Sequence, residues 1–145
     1  MKKENLKTEA AILINADTAR IWDVLTNPDK IKLYLFDSQV KTDWKAGSPV
    51  IFSRVSEGKE YVDKGEVLEV VPQQILKYSY FSSQEGYEDT PENYSVITYR
   101  LEKDNENNIK LIYCREHIPI EFEQKNQERF LPVMLENIKK LAEEK

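Results

Sequence analysis

The chain has 145 residues but only one cysteine, one histidine and four glycines, and each scarcity closes off a class of chemistry. A lone Cys114 forms no intramolecular disulfide and assembles no cysteine-based zinc site. With His117 as the single imidazole, and no Gly-x-Ser-x-Gly turn leading into a helix, Ser-His-Asp hydrolysis has no foundation. Four glycines supply no phosphate-cradling loop. No apolar run approaches the ~20 residues of a membrane span. The apolar stretch Ala10–Ile14 is too short for a signal-peptide core, so a cytoplasmic location is expected. Lys and Arg number 21 against 26 Asp and Glu, a net charge of −5 with no basic run. That balance disfavours nucleic acid and anionic membranes, because both require Lys or Arg to neutralise phosphates.

What is present is enough for one core. Apolar residues make up 40% and charged residues 32%, the composition of an ordinary globular domain, and residues 1–145 read as one domain with no linker or repeat. Leu6–Ile14 reads as a strand. Asp17 is a good N-cap for a following helix in which Ile21, Val24 and Leu25 fall at helical spacing and Trp22 flanks the stripe. Asn27-Pro28 restarts the chain, and a second short helix is expected from Asp29 to about Tyr34. The period then changes to two. Val40, Thr42 and Trp44 alternate with polar neighbours. Further strands are expected at Pro49–Val55, Tyr61–Val71, Ile75–Phe81, Tyr94–Glu102 and Ile109–Ile118. Gly65, inside one of them, suggests a bulge or bend. From about Glu123 to Glu143 the pattern is helical, with Phe130, Met134, Ile138 and Leu141 as an apolar stripe, Leu131, Leu135 and Ala142 widening it, and Pro132 as an expected kink or break.

One strand, two short helices, six strands in succession and one long helix describe an α+β protein. The six strands imply an antiparallel meander. The long helix needs a large partner for its apolar face, and the sheet is the only one. A curved antiparallel sheet of about seven strands around a C-terminal helix is therefore expected.

Several short motifs agree with that reading. Ala19-Arg20-Ile21-Trp22-Asp23-Val24-Leu25-Thr26-Asn27-Pro28, Asp43-Trp44-Lys45-Ala46-Gly47-Ser48-Pro49, Gly65-Glu66-Val67-Leu68-Glu69-Val70-Val71-Pro72 and Ile138-Lys139-Lys140-Leu141-Ala142-Glu143 occur in this order. In sequence and spacing they resemble the START-like superfamily, with its birch-pollen-allergen or helix-grip fold. Within it, they are most similar to small bacterial relatives of the activator of the 90-kDa heat-shock-protein ATPase. The likeness spans about Glu9 to Glu143, with Phe130 nearest to a position where the family commonly carries tryptophan. The resemblance implies the helix-grip fold. It also implies three kinds of role: binding of lipid-, sterol- or polyketide-like molecules, action on a protein partner such as a chaperone, or cyclase-like catalysis.

Strand alternation nominates the interior. Ile97, Tyr99 and Leu101 share a face, as do Leu76, Tyr78 and Tyr80, and Leu111, Tyr113, Arg115 and His117. Together with Trp22, Trp44, Phe52, Phe130 and Met134 these form an aromatic-rich interior, either a filled core or the wall of a cavity for a small hydrophobic or amphipathic ligand. Arg115 and His117 either face inward as polar anchors or escape at a strand end to pair with Glu116, Glu121 or Glu66. Cys114 alternates away from Tyr113 and reads as a packed small residue. Glu66 and Glu69 fall on opposite faces, and Glu121 with Glu123 stands at a helix start, where negative charge is favoured in any case. Asp104–Asn108 lacks the spacing of a calcium loop and reads as a hairpin turn. Ser82–Asn93, the longest loop, carries Tyr87 in acidic surroundings, either a lid or a plain excursion. No catalytic residue, metal or cofactor is nominated.

Overall fold

The computed structural model describes residues 6–35, 37–82, 86, 88–104 and 108–144. Its elements run β1 (Leu6–Ile14), α1 (Thr18–Thr26), α2 (Pro28–Tyr34), β2 (Gln39–Lys41), β3 (Pro49–Ser56), β4 (Lys59–Val71), β5 (Ile75–Tyr80), a 3-10 turn (Pro91–Asn93), β6 (Ser95–Lys103), β7 (Ile109–Ile118) and α3 (Glu121–Glu143). The strands form one antiparallel sheet in the order β1-β7-β6-β5-β4-β3-β2. The meander from β2 to β7 is the one expected, and β1 closes it by pairing with β7 from Leu6 opposite Ile118 to Ile14 opposite Ile109. This is the α+β helix-grip architecture.

The helix ends follow local chemistry. The Asp17 carboxylate accepts from the Arg20 N–H at 2.8 Å and starts α1. Asn27 ends α1 and starts α2, its side chain accepting from the Asp29 N–H at 3.0 Å with Pro28 in the first turn. α1 buries Ile21, Val24 and Leu25, while Trp22 is partly buried against the core.

Two features bend the sheet. β4 pairs with β3 through Glu66 and with β5 from Val67 onward, with an irregularity between Val67 and Glu69. At the crossover Gly65 lies so close to β5 that a Cβ there would stand 1.7 Å from the Ser79 carbonyl oxygen. Only glycine fits that approach.

Some sequence expectations need correction. The strand pattern through Val40, Thr42 and Trp44 ends at Lys41, because Trp44 sits at φ 57. The Thr42 hydroxyl accepts from the Trp44 N–H at 3.2 Å and the Asp43 carboxylate from the Lys45 N–H at 2.9 Å. These short-range bonds replace the ladder. Pro132 does not split α3, which runs unbroken for 23 residues. Its buried row is Leu131, Met134, Leu135, Ile138 and Ala142, so Phe130 and Leu141 flank the stripe rather than lie within it. Tyr87 and the middle of the Asp104–Asn108 turn lie outside the described residues. At the ends of that turn, the Asp104 N–H donates to the Asn108 carbonyl at 3.0 Å and the Asn108 N–H to the Asp104 carboxylate at 2.9 Å.

Candidate functional site

α3 packs chiefly against β1 and α1. Over the middle strands it leaves a pocket of about 470 Å³, a volume in the range of small-molecule sites. Leu35 at the end of α2 lines it with Phe52, Tyr78, Ile97, Tyr99 and Tyr113 from the sheet and Phe130 and Met134 from α3. Its polar lining comes from Arg54, Asp63, Tyr80 and Arg115 on the strands, Ser38 and Ser82 beside them, and Glu123, Asn126 and Gln127 on α3.

The pocket is built on an alternation that works as strand geometry requires. Ile97 and Tyr99 on β6, and Leu111, Tyr113 and Arg115 on β7, all point inward and are buried. The tyrosine rings brace one another. Tyr99 and Tyr113 meet edge-on with centroids 5.1 Å apart, and Phe52 contacts Tyr78 at 5.6 Å and Tyr80 at 5.8 Å. Burial raises the pKa of each phenol: Tyr113 to about 12, and Tyr78, Tyr80 and Tyr99 well above the ordinary tyrosine range. All four are therefore neutral hydroxyls at physiological pH. Tyr80 donates to the Asp63 carboxylate at 2.5 Å.

Arg115 is the polar centre, at 4% exposure. Its Nε donates to Ser95 Oγ at 2.9 Å, Nη1 donates to Gln127 Oε1 at 3.0 Å, and Nη2 is ion-paired with Glu123 Oε1. Its guanidinium carbon lies 5.0 Å from the centre of the Tyr80 ring. Ser95 passes the network on by donating to the Tyr80 carbonyl at 3.3 Å. Glu123 is itself only 6% exposed, so a complete ion pair is enclosed where the first turn of α3 meets β7.

The other nominated residues stand elsewhere. His117 shares no face with Arg115. It adopts φ 59 and is exposed. Leu6 pairs with Ile118 but Thr8 with Arg115, so Glu116 and His117 both face Lys7. This bulge reverses the alternation and sends Ile118 inward instead. No imidazole lines the pocket. Trp44 packs against Tyr78 with ring centroids 6.1 Å apart and donates from Nε1 to the Thr26 carbonyl at 2.8 Å, which ties the β2–β3 connection to α1. Neither Trp44 nor Trp22 lines the pocket. Cys114 is half-buried, with a thiol pKa raised by burial.

Glu123, Gln127, Asp63 and Ser95 went unnominated. For the first two a signal exists: Glu123, Gln127 and Met134 are spaced i, i+4, i+11, so the pair continues the inner face of α3 toward its start. Asp63 and Ser95 carry no comparable mark. Among the described residues no group of His, Cys, Asp and Glu is arranged to hold a metal ion, and no helix is long and apolar enough to cross a membrane. Chemically, the site offers apolar walls and one end rich in paired donors and acceptors.

Comparison with known proteins places this arrangement. Residues 15–143 match the family model for activator of Hsp90 ATPase homolog 1-like protein. The solution structure of ChR145 from Cytophaga hutchinsonii is 36% identical, with 99% of this chain and 97% of that one covered and a TM-score of 0.81. MLL2253 from Mesorhizobium loti shares the fold at 18% identity, 93% and 95% coverage and a TM-score of 0.75. The Aha1 dimer from Colwellia psychrerythraea does so at 17% identity, 94% and 96% coverage and a TM-score of 0.71. No match was found among curated proteins. The chain belongs to the activator of Hsp90 ATPase homolog 1-like family.

Proposed function

We propose that the protein is a binding module that holds a small amphipathic molecule between its sheet and α3. The observation that carries this reading is the pocket itself: about 470 Å³, with Phe52, Ile97, Tyr99 and Met134 as apolar wall and the buried Arg115–Glu123 pair at its polar end. Apolar walls supply affinity through the area they remove from water, and a few fixed polar groups orient the ligand. Uptake of the uncharged fluorescent probe N-phenyl-1-naphthylamine, together with native mass spectrometry of gently purified protein, tests it. Saturable uptake at one site is expected, abolished by Ile97→Trp, which fills the space. No uptake and no retained small molecule would sink the reading.

A second reading, a protein-interaction domain acting on a chaperone, is favoured by the family match and by Phe122 and Val133 on the outer face of α3, 67% and 50% exposed. Stimulation of a 90-kDa chaperone's ATPase that is lost in Phe122→Ser/Val133→Ser supports it. A pull-down that finds no chaperone, together with no ATPase stimulation, removes it.

A further inference from the structure

We infer that the pocket selects ligands with an uncharged hydrogen-bonding head, such as an alcohol, phenol or ketone, and rejects carboxylates and phosphates. The inference rests on the binding reading above and narrows it to a ligand class.

An arginine at the end of an apolar pocket usually suggests an anion, since guanidinium pairs well with carboxylate. Here that position is already taken. Arg115 is ion-paired with Glu123, and both are enclosed by α3 and β7. The second carboxylate, Asp63, is also buried and accepts from Tyr80. The second cation, Arg54, lies half-buried with its guanidinium 5.3 Å from the centre of the Tyr61 ring. The described lining residues therefore carry two positive and two negative charges and sum to zero. The tyrosines add none, being neutral phenols.

An anionic head reaching Arg115 must either sit beside the Glu123 carboxylate or displace it. The first option sets like charges together in surroundings that screen them weakly. The second strands a carboxylate in the interior. A hydroxyl head meets neither obstacle. It donates to a carboxylate oxygen and accepts from a guanidinium or amide N–H, and the pocket end offers both partners within one network, Arg115 and Gln127 beside Glu123. A carboxylate only accepts, so half of that network is closed to it. A ketone accepts without carrying charge and keeps the favourable half.

Decanol and decanoate, matched in chain length, are titrated near neutral pH against bound N-phenyl-1-naphthylamine. Decanol is expected to displace the probe with an affinity at least about tenfold tighter than decanoate. Glu123→Gln, which leaves Arg115 without its counter-charge, is expected to shift the decanoate-to-decanol affinity ratio by about tenfold in favour of decanoate. Asp63→Asn shifts the same ratio in the same direction and serves where Glu123→Gln fails to fold. Probe uptake with decanoate bound as tightly as decanol in the native protein overturns this inference and leaves the binding reading standing. A ratio unmoved by either folded variant also overturns it. No probe uptake at all overturns both together.

Discussion

Arg115→Met is the most informative single change. It removes the cation from an ion pair whose two members are 4% and 6% exposed. Breaking a buried pair from one side costs about 3–5 kcal/mol, because the remaining charge stays in the interior. Glu123 lies in the first turn of α3, where the helix dipole favours negative charge by up to about 1 kcal/mol. The net loss should therefore be near 3 kcal/mol. For a chain of this size that corresponds to a fall in Tm of about 6–12 °C. Glu123→Leu is expected to cost a similar amount, since it leaves the guanidinium with Ser95 and Gln127. The double variant, with neither charge to desolvate, should return to within about 1 kcal/mol of the native protein. Urea unfolding followed by Trp22 and Trp44 fluorescence measures all four corners of the cycle. A loss below about 1 kcal/mol for Arg115→Met, or two single losses that simply add, would refute the reasoning.

Three further outcomes are expected. Gly65→Ala sets a Cβ 1.7 Å from the Ser79 carbonyl oxygen. Both groups are backbone-held, so a loss of at least about 3 kcal/mol in urea unfolding is expected. Tyr34, Tyr78, Tyr80, Tyr99 and Tyr113 all have phenol pKa values raised by burial. The stability this contributes is fully present below the unfolded-state pKa near 10 and is lost as pH rises through 12, so their phenolate absorbance should appear in one step with unfolding. Asp17→Ala removes the cap on the Arg20 N–H and should cost about 1 kcal/mol with the fold retained, measured by the same denaturant titration.

The parts of the fold legible in the sequence are those where a single local rule operates. Ile97, Tyr99 and Leu101 were readable as one face because burying one side of a strand enforces a period of two. Asp17 and Asn27 were readable as caps because the chemistry is satisfied within three residues. His117 and Trp44 failed for a shared reason. Each has a positive φ, and one such residue reverses or ends the alternation while leaving the composition unremarkable. The Arg115–Glu123 pair failed for a different reason. Both residues have other charged neighbours nearer in sequence, and bringing β7 onto the first turn of α3 is a tertiary event that no local spacing encodes.

That pairing also explains why the pocket stays open. From Leu131 to Ala142, α3 is fastened by buried apolar side chains, the kind of contact that draws a helix down until no gap remains. Before Leu131, Glu123 is the only buried position of α3, and the attachments there are polar. Glu123 and Gln127 hold Arg115, and Gln124 Nε2 donates to the Lys7 carbonyl at 3.0 Å. Hydrogen bonds and ion pairs have a fixed length and direction, so they hold this part of the helix at a set height above β5 and β6. Pro132 stands at the boundary between the two attachments and has no N–H for the Glu128 carbonyl. Exchanging the polar attachment for an apolar one, as in Arg115→Met/Glu123→Leu, should therefore do two separable things. It should restore stability, and it should let α3 settle toward the sheet, so that N-phenyl-1-naphthylamine uptake falls while the urea midpoint recovers. A double variant that regains stability and still takes up the probe at native affinity would show that the ion pair does not set the height of the helix.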